Sequence, residues 1–114
     1  MSAVTIYHNP RCSKSRETLA LLEARGLTPV VVEYLQTPPS AETLTRIVAL
    51  LGGDVRQLVR TKEAREEGLS VEDLDDAGLI AALVAHPRAI ERPIVVTETA
   101  ARLGRPPEAV LEIL

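Results

Sequence analysis

Cys12 is the only cysteine of the 114-residue chain, and it stands in the run His8-Asn9-Pro10-Arg11-Cys12-Ser13-Lys14-Ser15-Arg16. Before it, Val4, Thr5, Ile6 and Tyr7 have the β-branched and aromatic character of a strand running into a proline turn. After it, Leu19 and Leu22, three apart, mark one face of a helix that begins at Ser13. The thiol therefore falls where a strand hands over to the first turn of a helix. There the unpaired backbone N–H groups and the macrodipole favour an anion. His8, Arg11, Lys14 and Arg16 add positive charge close by. At a pKa of about 8.5 well under a tenth of a thiol is ionised near neutrality, while at roughly 6.5 most of it is. Cys12 reads as a nucleophile. A lone cysteine is often only a small buried hydrophobe, but a proline-bounded loop is a place for function rather than packing.

The neighbours of Cys12 divide by role. His8 lies four residues away and leaves the strand at the same end, so a cationic His8 would stabilise the thiolate. Ser15 is able to donate a hydrogen bond to the sulfur, or is an ordinary polar residue of a first helical turn. Asn9 suits the turn itself. With one thiol no intramolecular disulfide forms, so an oxidised Cys12 needs a resolving thiol from another molecule. Ser15 and Asn9 occupy the positions three after and three before it, which excludes a Cys-x-x-Cys dithiol.

The elements that must position this loop follow from periodicity and punctuation. Residues 4–7 form a strand, residues 13–25 a helix stopped by Gly26, and residues 29–34 a second strand. The nearly continuous apolar run of that second strand predicts burial on both faces and a parallel partner. Ser40 caps a helix whose stripe is Leu44, Ile47, Val48 and Leu51, and Gly52-Gly53 stops it. Asp54 caps a short successor running to Arg60, and residues 62–68 form charged surface helix or turn. Asp75 or Asp76 starts another helix with Leu79, Ile80, Leu83 and Val84 inward, ending near His86-Pro87. A hairpin of residues 94–96 and 99–103 turns at Thr97-Glu98. Gly104 ends it, and a terminal helix opens at Pro106-Pro107 with Val110, Leu111 and Leu114 inward.

Composition bounds the function. The length fits one domain, 1–114, with a real core. A formal net charge of -3, two tyrosines and no phenylalanine or tryptophan argue against a nucleic-acid binder. No basic-then-apolar leader is visible, and the longest apolar run, residues 79–85, is too short to span a bilayer. A cytoplasmic address suits a thiol kept reduced. No metal-ligand spacing and no glycine-rich phosphate loop is present, so no bound cofactor is expected. Arg60, Arg92 and Arg105 fall at element ends, where the planar fork of arginine gives paired hydrogen bonds to a tetrahedral oxyanion. Arg25, Arg46, Arg56, Arg65, Arg88 and Arg102 read as solvated surface residues.

The run from Tyr7 to Arg16 resembles the active-site loop of the glutaredoxin-linked arsenate reductase (ArsC) family. The likeness extends through Glu33-Tyr34-Leu35, Arg60-Thr61-Lys62-Glu63, Glu91-Arg92-Pro93-Ile94-Val95 and Gly104-Arg105-Pro106-Pro107, almost the whole chain. It implies an α/β, thioredoxin-like fold: a four-stranded mixed sheet with flanking helices and a helical insertion between βαβ and ββα halves. A cis-proline at Pro93 is implied with it. So is a reaction in which Cys12 attacks arsenate or a similar oxyanion held by Arg60, Arg92 and Arg105, with His8 tuning the thiol. Glutathione as co-substrate and glutaredoxin as partner then regenerate Cys12. The chain ends soon after Arg105 and one helix, where better-known members run longer, so a thiol oxidoreductase of this family with another substrate stays open. A non-enzymatic relative of the Spx-type regulators is the other alternative, although those using redox switching carry the Cys-x-x-Cys pair that this chain lacks.

Overall fold

Thr5–His8 forms the first strand, β1, with Ile6 and His8 buried and Thr5 and Tyr7 half-buried. In the computed structural model, which describes residues 3–114, β1 leads into helix α1 (Ser13–Ala24) and strand β2 (Val30–Glu33). Gly26 ends the helical segment at φ 78°, a backbone conformation that suits a residue without a Cβ. Strands β3 (Ile94–Val96) and β4 (Ala101–Leu103) form a hairpin, and a 3-10 helix (Pro107–Ile113) ends the chain. The sheet order is β2-β1-β3-β4; β2 is parallel to β1, whereas β3 is antiparallel to both β1 and β4. This is the mixed four-stranded sheet of the thioredoxin-like plan. These elements belong to one compact unit, comprising the chain up to Thr37 and Arg92–Leu114. Its core is Val4, Ile6, Leu22, Val95 and Val110, with Leu19, Leu27 and Ile113 packed against it.

The second unit, Pro38–Glu91, is helical. It contains α2 (Ala41–Leu50), α3 (Thr61–Glu66) and α4 (Asp76–Ala85), with 3-10 turns between them. Ser40 Oγ accepts the N–H of Thr43, and Asp75 Oδ1 accepts that of Gly78, so both helices start on a side-chain cap. Asp54 Oδ1 likewise accepts the Arg56 N–H at the head of the turn Val55–Leu58. Leu44, Ile47, Leu58, Leu79, Leu83 and Ile90 are buried. Among the described residues no helix is long and apolar enough to cross a membrane.

Three expectations are corrected. β2 is an edge strand, with Val30 57% and Val31 44% exposed, so its apolar run reflects the fit of β-branched residues to a pleated strand rather than burial on both faces. The strand buried throughout is β3. The terminal helix is 3-10, and its shorter turn carries Ile113 onto the core and leaves Leu114 exposed. Of the expected inward face of α4, only Leu79 and Leu83 are fully buried.

Gly104 closes the hairpin against α1. Its N–H donates to the Pro93 carbonyl at 2.9 Å. A Cβ at this position would lie 2.5 Å from Thr18 Oγ1, 2.7 Å from Pro93 Cγ and 3.2 Å from Thr18 Cγ2. Gly104→Ala should therefore cost about 1–3 kcal/mol, measured by urea unfolding. Adding Thr18→Ala removes two of those three close neighbours and should recover part of the loss. An unchanged unfolding midpoint in the single variant would show that the approach is not tight.

Candidate active site

The loop after β1 is shaped by its own backbone. Asn9 Oδ1 accepts the Arg11 N–H at 3.0 Å, and the Asn9 carbonyl accepts the Cys12 N–H at 3.0 Å. Arg16 Nη1 donates to the Pro10 carbonyl at 2.9 Å, fastening the loop to the first turn of α1. Cys12 thereby becomes the residue preceding α1, with extended backbone at φ -93° and ψ 123°. Its sulfur faces the backbone N–H groups of Ser15 and Lys14 and the guanidinium of Arg92. Burial pushes the thiol up, but those two N–H groups and Arg92 more than offset it and hold Cys12 below its ordinary value. The residue is only partly buried, so the sulfur can be reached.

Arg105 completes this side of the site. Its Nε donates to the Arg92 carbonyl at 2.8 Å, and its Nη2 lies 3.8 Å from Cys12 Sγ. The close approach at Gly104 sets the start of the segment that carries it. Arg92 precedes β3 at the same open end of the hairpin, directly before the cis Arg92–Pro93 bond that the family resemblance implies. The Arg105–Pro106 bond is also cis, a second instance that the sequence reading did not include. Two guanidinium groups thus flank the sulfur, a pairing suited to holding an oxyanion at the nucleophile.

His8 and Ser15 form a buried pair behind this face. Ser15 Oγ lies 2.6 Å from His8 Nδ1 and accepts the Asn9 N–H at 3.0 Å. Burial lowers the His8 pKa; the carboxylate of Glu33, its partner across the β1–β2 ladder, opposes this, and Arg16 adds to it. The net effect favours a neutral imidazole. The condition on which His8 would stabilise the thiolate, a positive charge, is thus disfavoured by burial, and its Nδ1 lies against Ser15 Oγ. Ser15 in turn faces the sulfur with its N–H, while its hydroxyl is engaged by His8 and Asn9. Charge stabilisation of the thiolate rests on Arg92 and the helix start instead.

Arg60 lies in the other unit, directly before α3. Its Nε donates to Glu63 Oε2 at 2.7 Å, its Nη2 to Glu63 Oε1 at 3.4 Å and its Nη1 to Glu91 Oε1 at 2.9 Å. Its backbone N–H bonds the Ala89 carbonyl at 2.8 Å. The structure thus brings Cys12, His8, Ser15, Arg92 and Arg105 together in the first unit and shows Arg60 held by two carboxylates of the second. Gly104 and Thr18 were not singled out from sequence. The signal for Gly104 was present in the run Gly104-Arg105-Pro106-Pro107, but its reading as a strand stop hid its close approach to α1.

The model of the ArsC family matches residues 7–113. The chain belongs to the ArsC family. An uncharacterised protein of Escherichia coli K12, YfgD, is 53% identical over 97% of this chain and 96% of its own length. An arsenate reductase of Haemophilus influenzae is 51% identical over 98% and 99%. The solved structure of an arsenate reductase from Vibrio cholerae superposes with a TM-score of 0.93 at 56% identity, covering 98% of each chain. Coverage this complete extends the ArsC likeness to both strands of the hairpin that carries Arg92 and Arg105.

Two measurements test this geometry. The rate of Cys12 alkylation against pH should titrate below the ordinary thiol range, and Arg92→Ala should move that midpoint upward; an unmoved midpoint would remove Arg92 from the thiolate's support. His8 binds its proton more weakly folded than unfolded, so the unfolded chain takes up more protons on acidification. Its contribution to stability is complete above 6.5, its ordinary value, and is lost as pH falls from there toward the folded value. The fall in thermal midpoint from about pH 7 to about pH 5 should accordingly be smaller in His8→Gln than in wild type.

Proposed function

We propose that this protein reduces arsenate to arsenite through Cys12, with glutathione and glutaredoxin completing the cycle. The observation that carries the reading is the sulfur at the start of α1, below its ordinary pKa and flanked by Arg92 and Arg105, with Arg105 Nη2 3.8 Å away. Full-length likeness to proteins named arsenate reductase supports the substrate. Arg92 and Arg105 neutralise and orient the oxyanion, while the Cys12 thiolate attacks arsenic and an arsenic oxygen leaves as water. The glutathione thiolate next attacks the Cys12 sulfur of the adduct. The sulfur–arsenic bond breaks with its electron pair staying on arsenic, which leaves as arsenite, and a Cys12–glutathione disulfide remains. Glutaredoxin reduces that disulfide, because the chain has no second cysteine to resolve it.

Arg60 is the third anion-binding residue of the family resemblance. In the structure its guanidinium carries three side-chain bonds to Glu63 and Glu91. A cytoplasmic setting suits the proposal, since the thiol must be reduced to act.

A coupled assay with arsenate, glutathione, glutaredoxin and NADPH tests the function directly. Cys12→Ser should abolish turnover, because a hydroxyl is not ionised at neutral pH and forms no mixed disulfide. Arg105→Ala should raise the KM for arsenate by roughly tenfold or more through loss of a charged bond, while Cys12 stays open to alkylation. Full-rate reduction without any added thiol would sink the mechanism. A reactive thiol with no arsenate turnover would move the reading to another substrate.

A further inference from the structure

We infer that Thr18 is a positioning residue for the nucleophile, acting on Cys12 through the single peptide unit that joins Lys14 to Ser15; this rests on Cys12 being the nucleophile, not on arsenate being its substrate. Thr18 lies one helical turn beyond that peptide on α1 and is wholly buried. Its Oγ1 donates to the Lys14 carbonyl at 2.8 Å. The Lys14 carbonyl and the Ser15 N–H are the two ends of one planar amide, pointing opposite ways along the helix. The carbonyl end meets Thr18, and the N–H end faces the Cys12 sulfur. Hydroxyl, carbonyl, N–H and thiolate thus form one chain of donors and acceptors. A bond at the carbonyl draws electron density toward its oxygen and makes the N–H a stronger donor.

Two features set this bond apart from the ordinary pairing of a buried hydroxyl. A helical threonine often donates to the carbonyl four residues back, at a small cost to the helix. Here that carbonyl belongs to the amide whose N–H gives the thiol its foremost hydrogen-bond support. The side chain is also crowded into place. Gly104 packs on it so closely that a Cβ there would lie 2.5 Å from Oγ1 and 3.2 Å from Cγ2. Through that contact Thr18 also touches the residue preceding Arg105. The charged and titratable groups around the thiol are Arg92 before β3, Arg105 after β4, His8 on β1, and Lys14 and Arg16 on α1. A substitution at position 18 leaves all of them in place. Threonine carries no charge, so its removal has no direct field effect on the sulfur.

The test titrates Cys12 by its alkylation rate against pH in the folded protein, with no arsenate present. Thr18→Ala and Thr18→Val both lose the hydroxyl, and valine keeps the branched shape. Each should raise the midpoint by roughly 0.3–0.5 of a pH unit, a smaller rise than Arg92→Ala gives. Below the midpoint this slows alkylation about two- to threefold. Thr18→Ser keeps the hydroxyl and should titrate as wild type. The Ser15 amide proton, followed by NMR where the thiol is ionised, should move upfield in the alanine and valine variants only. Lower stability with an unmoved titration overturns the proposal, because Thr18 is then a packing residue alone. So does a serine variant that titrates with the alanine one. A raised midpoint in Thr18→Ala and Thr18→Val, beside a wild type that turns over no arsenate, would uphold the role of Thr18 and overturn the proposed substrate.

Discussion

The sulfur of Cys12 lies at a helix start, and the rest of the first unit serves to keep it there. An N-terminal helix turn has backbone N–H groups with no helical carbonyl to receive them. In α1 the N–H groups of Ser15 and Lys14 face the thiol rather than a capping oxygen. The interaction needs no titratable neighbour, so it holds across the pH range in which His8 changes charge. It does require the loop before the helix to arrive in an extended conformation at Cys12. The Asn9 turn, the Arg16 bond to Pro10 and the Ser15–Asn9 bond together enforce that arrival.

Burial separates the two cations that the sequence offers for the thiolate, His8 and Arg92. His8 on β1 is buried in a strand flanked on both sides, where the cost of desolvating a charge outweighs the attraction of Glu33. An arginine keeps its proton under the same pressure. Arg92 is half-buried against the sulfur and supplies the charge that the imidazole does not. His8 retains a different task, a short bond to Ser15 that fixes the first turn of α1.

Much of this was legible in the sequence because it is local. The strand–loop–helix around Cys12, the caps at Ser40, Asp54 and Asp75, and the stop at Gly26 depend on neighbours within a few residues. The edge position of β2 was not legible, since valine favours a strand whether it is central or exposed. Nor was the neutral state of His8, which depends on burial supplied by distant segments. The role of Gly104 was hidden for the same reason: Thr18 lies far from it in sequence and touches it only through the fold. The pairing of Arg105 with Arg92 came from the resemblance, while its route, through a main-chain carbonyl, came from the structure.

That carbonyl has an evolutionary consequence. The acceptor holding Arg105 Nε is main-chain and is present whatever side chain occupies position 92, so replacing that side chain does not delete it. Arg60 is anchored in the opposite way, by the side chains of Glu63 and Glu91, either of which a single substitution erases. Across descendants of this sequence the orientation of Arg105 is thereby buffered against drift, and that of Arg60 is open to it.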